Sequence, residues 1–192
     1  MEGHPDRQDQ VLIPDDLTES FQPIVGQPVT LRPLRREDVD IEAAFLSGLS
    51  PESRHNRLLG GMIKITREYL ERLTTVDFSR DMALAAALML EDREVLIGVA
   101  RYVLEAGGAS CEFALVIADT WQGRGIGRRM MDKLIAVARS RGLKEIYGDV
   151  LSTNRPMLEF CRKLGFTLGR NPGDATVTRV KLELGGQKLL VG

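Results

Sequence analysis

The sequence contains few of the residues that build disulfide frameworks or metal centres. Its 192 residues include two cysteines, Cys111 and Cys161, and two histidines, His4 and His55. Two cysteines cannot form a disulfide framework or a four-cysteine zinc site, and two histidines are a poor basis for a histidine-rich metal centre. We therefore expect no bound metal and a reducing, cytoplasmic environment.

Long apolar runs and a strong imbalance of charge are also missing. The longest uninterrupted apolar stretch, Met82–Leu90, has nine residues, whereas a membrane-spanning helix needs about 20. Lysine and arginine total 26 and aspartate and glutamate total 27, so the whole chain has no excess of positive charge for nucleic acid. We expect neither a membrane nor a nucleic acid as partner.

The residues that are present have the composition of one globular domain. Hydrophobic residues make up 43% of the chain and charged residues 28%, which is typical of folded proteins of this length. Residues 1–20 differ, because they hold six acidic residues and Arg7 as their only basic residue. We predict a mobile acidic tail over residues 1–25 and a single domain over residues 26–192.

Hydrophobic spacing predicts an α+β fold. Apolar residues alternate over residues 28–34, which indicates a strand, and recur at helical spacing over residues 37–49, where Pro51 marks the end of a helix. A short helix follows Thr66. Three consecutive strands of an antiparallel meander are predicted at residues 82–90, 95–104 and 109–118, although the four alanines of the first also permit a helix.

The C-terminal half alternates between helix and strand. An amphipathic helix is predicted from residue 126 to about residue 141, because apolar residues recur there at helical spacing and Gly142 follows. The remaining predicted elements are a strand at residues 145–151, a helix at residues 154–164 capped by Asn154, and strands at residues 166–168 and 177–184.

A glycine-rich loop, Gln122-Gly123-Arg124-Gly125-Ile126-Gly127, joins the third meander strand to the amphipathic helix. Backbone N–H groups and the positive end of the helix dipole meet at such a junction, so the loop is predicted to bind phosphate. The dinucleotide fingerprint GxGxxG fails because Arg128 occupies its last glycine, and a Walker loop fails because no lysine-hydroxyl pair follows. The pattern Q/R-x-x-G-x-G/A, the pyrophosphate loop of acyl-CoA transferases, fits at every fixed position.

The charge of the following helix also favours a polyphosphate ligand. Residues 122–144 contain Asp132 as their only acidic residue and seven basic residues: Arg124, Arg128, Arg129, Lys133, Arg139, Arg141 and Lys144. Coenzyme A carries a pyrophosphate and a 3′-phosphate, which such a patch attracts.

From Val29 to Phe166 the sequence resembles the GNAT acetyltransferase superfamily. The resemblance rests on the predicted meander, the loop, and an asparagine-led helix that starts Asn154-Arg155-Pro156-Met157 and ends Lys163-Leu164-Gly165-Phe166. The sequence resembles still more closely the GNAT domain of Pat-type protein lysine acetyltransferases. Four stretches carry it: Leu31-Arg32-Pro33-Leu34 with Arg36-Glu37-Asp38, Leu49-Ser50-Pro51-Glu52-Ser53-Arg54, residues 77–83 (DFSRDMA), and residues 112–125 (EFA to DTWQGRG).

This resemblance implies a mixed, mostly antiparallel central sheet flanked by helices, with acetyl-CoA as co-substrate. In the family the fourth strand splays at a bulge, and its backbone holds the thioester and the pantetheine arm. The positions that it assigns to acetyl-CoA here are Leu115, Val116, Ile117, Gln122, Gly123, Arg124, Gly125, Ile126, Gly127, Arg128, Asn154 and Phe160. For Asn154, pantetheine contact and helix capping both stay open.

The candidate catalytic base is Glu112. A lysine amine is neutral in only about one molecule in a thousand at pH 7.4, so the reaction needs a base. Glu112 begins a predicted strand that is otherwise apolar, where partial burial would raise the pKa of its carboxyl group. Strand alternation places Glu112, Ala114 and Val116 on one face. The resemblance supports the assignment, since the matching glutamate of Pat-type enzymes is their catalytic base.

Two other residues allow alternative roles. Many GNAT enzymes place a tyrosine on the last helix to protonate the leaving thiolate, but Cys161 stands at that position, which leaves the general acid unassigned. Cys161 is either an acyl-carrying nucleophile or inert packing. His55 either faces the acceptor or is a solvated loop residue.

The sequence therefore predicts an acetyl-CoA-dependent N-acetyltransferase that modifies protein lysine side chains, for example those of AMP-forming acyl-CoA synthetases. Two alternatives stay open. One is an N-acetyltransferase for small-molecule amines, which would favour a closed acidic pocket over an open groove. The other is a non-catalytic acyl-CoA-binding sensor, in which replacing Glu112 would change no turnover.

Overall fold

The computed structural model describes residues 17–61 and 64–185. Residues 1–16 of the predicted tail lie outside these described residues. The described part contains eight strands and five helices in this chain order: β1 (Glu19–Phe21), β2 (Val29–Pro33), α1 (Val39–Gly48), α2 (Pro51–Arg57), α3 (Arg67–Thr74), β3 (Met82–Leu90), β4 (Arg93–Leu104), β5 (Ser110–Ile117), α4 (Ile126–Ser140), β6 (Glu145–Leu151), α5 (Arg155–Lys163), β7 (Thr167–Arg170) and β8 (Val177–Glu183).

All eight strands form one sheet in the order β1-β2-β3-β4-β5-β6-β8-β7. Neighbouring strands are antiparallel except β5 and β6, which are parallel. The predicted α+β class with a mixed, mostly antiparallel sheet is confirmed. No helix of the described ranges is both long enough and apolar enough to span a membrane.

The sheet buries both of its faces. On one face, Met130, Met131 and Leu134 of α4 are completely buried, and on the other Phe45 of α1 and Leu70 of α3 pack against the sheet. Each fully buried side chain of this size contributes about 1.5–3 kcal/mol through the hydrophobic effect. Helices thus cover both faces of the central part of the sheet.

Burial on both sides explains why the Met82–Leu90 run is a strand. Leu84 and Ala86 belong to the cluster under α4, whereas Ala83, Ala85 and Ala87 belong to the cluster under α1. A strand covered on both faces is apolar at every position instead of alternating. The small alanine side chains let α1 pack close to the strand. Because Met82–Leu90 is a strand, the helical alternative for this segment is wrong.

Two elements differ from the sequence prediction. Residues 19–21, which were assigned to the tail, form β1 and pair with β2 from Glu19↔Leu31 to Phe21↔Val29. Pro51, which the sequence predicts to mark a helix end, also begins a new helix, because the Ser50 side chain caps α2 by accepting from the Ser53 N–H at 3.1 Å. Proline fits the first helical turn, where its missing N–H costs no hydrogen bond.

Candidate active site

The parallel strands β5 and β6 separate in the middle of the sheet. They pair over only three positions, from Ser110↔Glu145 to Glu112↔Tyr147. Beyond Glu112, β5 keeps its pairing with β4, while β6 continues beside β8. The gap between them, which we call the splay, opens a cleft that starts at Glu112.

Backbone alternation decides which groups of β5 face this splay. The Ala118 N–H donates to the Ile97 carbonyl at 2.8 Å, and the Ser110 carbonyl accepts from the Glu105 N–H at 2.9 Å. The even-numbered residues of β5 therefore direct their backbone N–H and C=O groups towards β4, and the odd-numbered residues direct theirs to the opposite side. Leu115 and Ile117 therefore direct their backbone groups into the splay. Val116, which the resemblance also assigns to acetyl-CoA, turns its backbone to β4 and buries its side chain under α1.

The glycine-rich loop lies at the open end of the splay. Gly123 and Gly125 have left-handed backbone conformations, with φ of 71° and 85°, and Gly125 immediately precedes α4. Such conformations are easy only for glycine. The loop and the first turn of α4 thereby gather backbone N–H donors beside the positive helix end, the arrangement that binds phosphate.

Neighbouring side chains connect the loop to the splay. A methyl group at Gly127 would lie 3.5 Å from Leu115 Cδ2, 3.6 Å from Ile117 Cγ1 and 3.8 Å from Phe160 Cζ. The start of α4, the splayed part of β5 and the middle of α5 therefore converge at Gly127. Of the residues predicted to bind acetyl-CoA, the structure brings together the loop, Leu115, Ile117 and Phe160.

Asn154 caps α5, since its Oδ1 atom accepts from the Met157 N–H at 3.2 Å. The capping role that the sequence left open is thus present. Cys161 in the same helix is completely buried, and burial raises the pKa of its thiol to about 12. A buried, protonated thiol is a poor nucleophile, so Cys161 acts as packing. His55 is exposed on α2, where its imidazole lies against Gly60.

Several basic residues of the predicted patch have protein partners. The Arg124 guanidinium donates to the Val25 carbonyl at 3.0 Å and stacks 4.7 Å from the centre of the Trp121 ring. Glu19 of β1 accepts from Arg129 at 2.9 Å and lies 3.2 Å from the Lys133 ammonium. The patch is therefore partly neutralised by the segment that the sequence assigned to the tail.

Two further arginines of this patch differ in exposure. Arg128 is exposed and pairs with Asp132 one turn along α4 at 3.4 Å, so its guanidinium can turn towards a phosphate. Arg141 at the other end of α4 donates to the carbonyl groups of Phe78, Arg80 and Asp81. Arg141 therefore anchors the DFSRDMA segment.

Glu112 lies at the start of the splay, on the sheet face covered by α1 and α2. The residue reaches solvent, yet partial desolvation by the surrounding protein raises the pKa of its carboxyl group. The carboxylates of Asp149 and Glu105 raise this pKa further, while Arg179 and Arg57 oppose them. A raised pKa makes a carboxylate a stronger base.

The strand beside Glu112 is held by a polar network. Arg179 pairs with both oxygens of Asp149 at 2.9 and 2.8 Å, and its guanidinium lies 4.6 Å from the centre of the Tyr147 ring. The Tyr147 hydroxyl donates to Glu105 Oε1 at 2.5 Å. Because Tyr147 is in register with Glu112, this network fixes the side of the cleft opposite β5.

Sequence reasoning missed a hydrogen-bonded cluster around Asp119. Asp119 lies in the 3-10 turn Asp119–Trp121 that follows β5. Its carboxylate accepts from the Ser50 backbone and from the hydroxyls of Ser50 and Ser53. Two stretches of the Pat resemblance, LSPESR and DTWQG, meet here, which was the only signal for the cluster in the sequence.

Comparison with known proteins shows the family of this chain. The protein-family model described as "Acetyltransferase (GNAT) family" matches residues 61–166, more than half of the chain. The chain belongs to the GNAT acetyltransferase family. An acetyltransferase of Pseudomonas aeruginosa is 38% identical over 160 residues, which cover 83% of this chain and 86% of the relative. This GNAT protein is therefore an acyl-CoA-dependent N-acetyltransferase.

Two Pat proteins are also similar to this GNAT chain. The acetyltransferase Pat of Mycolicibacterium smegmatis is 31% identical over 157 residues, 81% of this chain but only 46% of Pat. The crystal structure of the GNAT domain of Streptomyces lividans PAT superimposes with a TM-score of 0.79 at 25% identity. That superposition covers 88% of this chain and 98% of the domain, so the structural similarity extends over the whole of that GNAT domain.

Proposed function

We propose that this GNAT enzyme acetylates lysine side chains of proteins, with Glu112 as the general base and acetyl-CoA as the acetyl donor. The observation that carries the proposal is the position of Glu112. Its carboxyl group, with a raised pKa, lies where β5 and β6 separate. In the GNAT family this gap receives acetyl-CoA, so the base stands beside the reacting thioester.

Each part of the cleft has a role in the proposed reaction. Phosphates of acetyl-CoA bind at the loop of residues 122–127, and the thioester lies along the backbone of Leu115 and Ile117. The lysine ammonium gives a proton to Glu112, and the neutral nitrogen attacks the thioester carbon. Backbone N–H donors of the splayed strand stabilise the negative charge that develops on the carbonyl oxygen. The C–S bond then breaks and coenzyme A leaves as a thiolate. The nitrogen gives its surplus proton to water, and the thiolate takes a proton from water.

The openness of the cleft favours a protein as acceptor. Glu112 is exposed, and Val103, its register partner on β4, is 51% exposed. An apolar residue accessible beside the base suits contact with a protein surface. The exposure of these two residues describes an open surface, whereas the small-amine alternative favours a closed acidic pocket. The likeness to Pat-type lysine acetyltransferases supports the same acceptor class.

The proposal is tested by measuring release of free thiol from acetyl-CoA. An AMP-forming acetyl-CoA synthetase serves as protein acceptor and spermine as small amine. The variants are Glu112→Gln and, as a matched control, Glu183→Gln, which removes an exposed carboxylate at the end of β8. We expect release with the synthetase, unchanged in Glu183→Gln and reduced at least about 100-fold in Glu112→Gln.

The alternatives give different results in this assay. Release with spermine but not with the synthetase would indicate a small-amine acetyltransferase. Coenzyme A binding without release towards either acceptor would favour the sensor. Equal turnover in Glu112→Gln and wild type would refute the role of Glu112 as base, whichever acceptor is used.

A further inference from the structure

The Asp119 cluster joins two regions that are far apart in the sequence. The Asp119 carboxylate accepts from the Ser50 N–H at 2.9 Å, the Ser50 hydroxyl at 2.7 Å and the Ser53 hydroxyl at 2.7 Å. Hydrogen bonds to a charged acceptor are about twice as strong as neutral ones. These bonds also hold the pKa of Asp119 at about 2, so the acceptor keeps its charge at every pH at which the enzyme would work.

The cluster continues into the acetyl-CoA loop. The Ser53 hydroxyl accepts from Gln122 Nε2 at 3.4 Å, and the same amide donates to the Ile117 carbonyl at 3.0 Å. Gln122 is the first residue of the loop, and Ile117 is the last residue of the splayed strand. Ser53 thus belongs to one network with both the loop and the splay.

At its other end α2 approaches the base. A methyl group at Gly60, three residues after α2, would lie 3.5 Å from His55 Cε1 of α2 and 3.9 Å from Leu151 Cδ2 of β6, so the end of α2 lies beside the strand across the splay. Arg57, the last residue of α2, also opposes the rise in the pKa of Glu112. The Ser50 hydroxyl is both the N-cap of α2 and a donor to Asp119. The carboxylate therefore fixes where the helix begins, and the helix carries a charge towards the acceptor side of the cleft.

We propose that Asp119, Ser50 and Ser53 are positioning residues that couple the acetyl-CoA loop to helix α2, so that coenzyme A bound at the loop restrains the acceptor side of the cleft. The inference rests on the proposed function for the identity of the two sides. It requires no contact between coenzyme A and α2, because the Ser53–Gln122 and Asp119 bonds connect them. The three residues act through the loop and α2, and the proposed reaction gives them no part in the chemical step.

Hydrogen–deuterium exchange measures this coupling directly. The variants are Asp119→Asn and Ser53→Ala, with Asp77→Asn as matched control, because Asp77 accepts from the N–H and hydroxyl of Ser79 in a turn at the far end of α4. Without ligand, we expect the amides of residues 52–57 to exchange at least about tenfold faster in Asp119→Asn, and the control to match wild type. Ser53→Ala keeps the Ser50 cap, so we expect a smaller increase in exchange. This variant still tests the coupling if Asp119→Asn folds poorly.

Coenzyme A is then added at saturating concentration, with its binding followed by calorimetry. In wild type and in Asp77→Asn we expect slower exchange in both residues 122–127 and residues 52–57. In Asp119→Asn and Ser53→Ala the loop is protected while α2 is not. Equal protection of α2 in all four proteins would overturn the coupling. Failure of coenzyme A to bind wild type would overturn the proposed function itself, a result that calorimetry distinguishes from loss of coupling.

Discussion

Alanine at two neighbouring glycines of the acetyl-CoA loop is expected to have opposite effects on stability. Gly125 has a φ of 85°, and a residue with a Cβ atom in this left-handed conformation costs about 1–2 kcal/mol. Gly127 lies inside α4, where replacing glycine by alanine stabilises a helix by about 0.5–1 kcal/mol. The methyl group at Gly127 meets its neighbours at no less than 3.5 Å, an ordinary van der Waals distance.

Thermal unfolding measures both effects. For a chain of this length, 1 kcal/mol changes Tm by about 2–4 °C, so we expect Gly127→Ala to raise Tm by about 1–4 °C and Gly125→Ala to lower it by about 2–8 °C. Calorimetry with coenzyme A should show weaker binding in Gly125→Ala, whose strain falls on the loop. The Q/R-x-x-G-x-G/A pattern allows alanine at position 127, so binding is retained there. Equal Tm in the two variants, or a lower Tm for Gly127→Ala, would refute this reasoning.

Three further predictions concern acid-base chemistry, the buried charges and the phosphates. Because the pKa of Glu112 is raised, kcat/KM should fall as the pH decreases through a pKa higher than that of an ordinary glutamate. Glu112→Gln should lack this acidic limb in a pH-rate profile. An inflection that survives in the variant would count against Glu112 as the base. Arg32 is 2% exposed and pairs with Asp38 and Glu94, both at 2.7 Å, so Arg32→Met should leave the buried Asp38 carboxylate uncompensated and lower the unfolding free energy by about 3–5 kcal/mol. Chemical denaturation checks this loss, and a change below about 1 kcal/mol would contradict it. Arg128→Ala should weaken coenzyme A binding and reduce its dependence on salt, since Arg128 is exposed at the loop. Calorimetry at two salt concentrations tests this, with Arg170→Ala, an exposed arginine on the edge strand β7, as control. Identical salt dependence in both variants would exclude a phosphate contact.

Local signals predicted those elements whose residues carry their own pattern. The strand Glu145–Leu151 has its predicted bounds, and α4 begins at the predicted Ile126, because a glycine loop and a strong apolar stripe mark its start. The α2 helix was missed since Ser50 and Pro51 signal a helix end and a helix beginning equally well. The three residues of β1 are too few for any periodicity to show.

Features that depend on distant contacts could not be predicted from one sequence. Glu19 neutralises Arg129 across 110 positions, and Asp119 holds Ser50 across 69. The splay is the place where β5 and β6 stop pairing, and no residue type marks it in the sequence. Only the family resemblance suggested it. Likewise, the backbone direction of Val116 follows from the pairing of β5 with β4, so its place away from the splay could be found only from the three-dimensional structure.

Acetylation of a protein lysine with Glu112 as base is tested most directly by intact-mass spectrometry of the acceptor. An AMP-forming acetyl-CoA synthetase is incubated with isotopically labelled acetyl-CoA and wild type, Glu183→Gln or Glu112→Gln, and peptide mapping locates the label. We expect one or more labelled lysines with wild type and Glu183→Gln and almost none with Glu112→Gln. Label that appears equally with Glu112→Gln, or that resides on residues other than lysine, would contradict it.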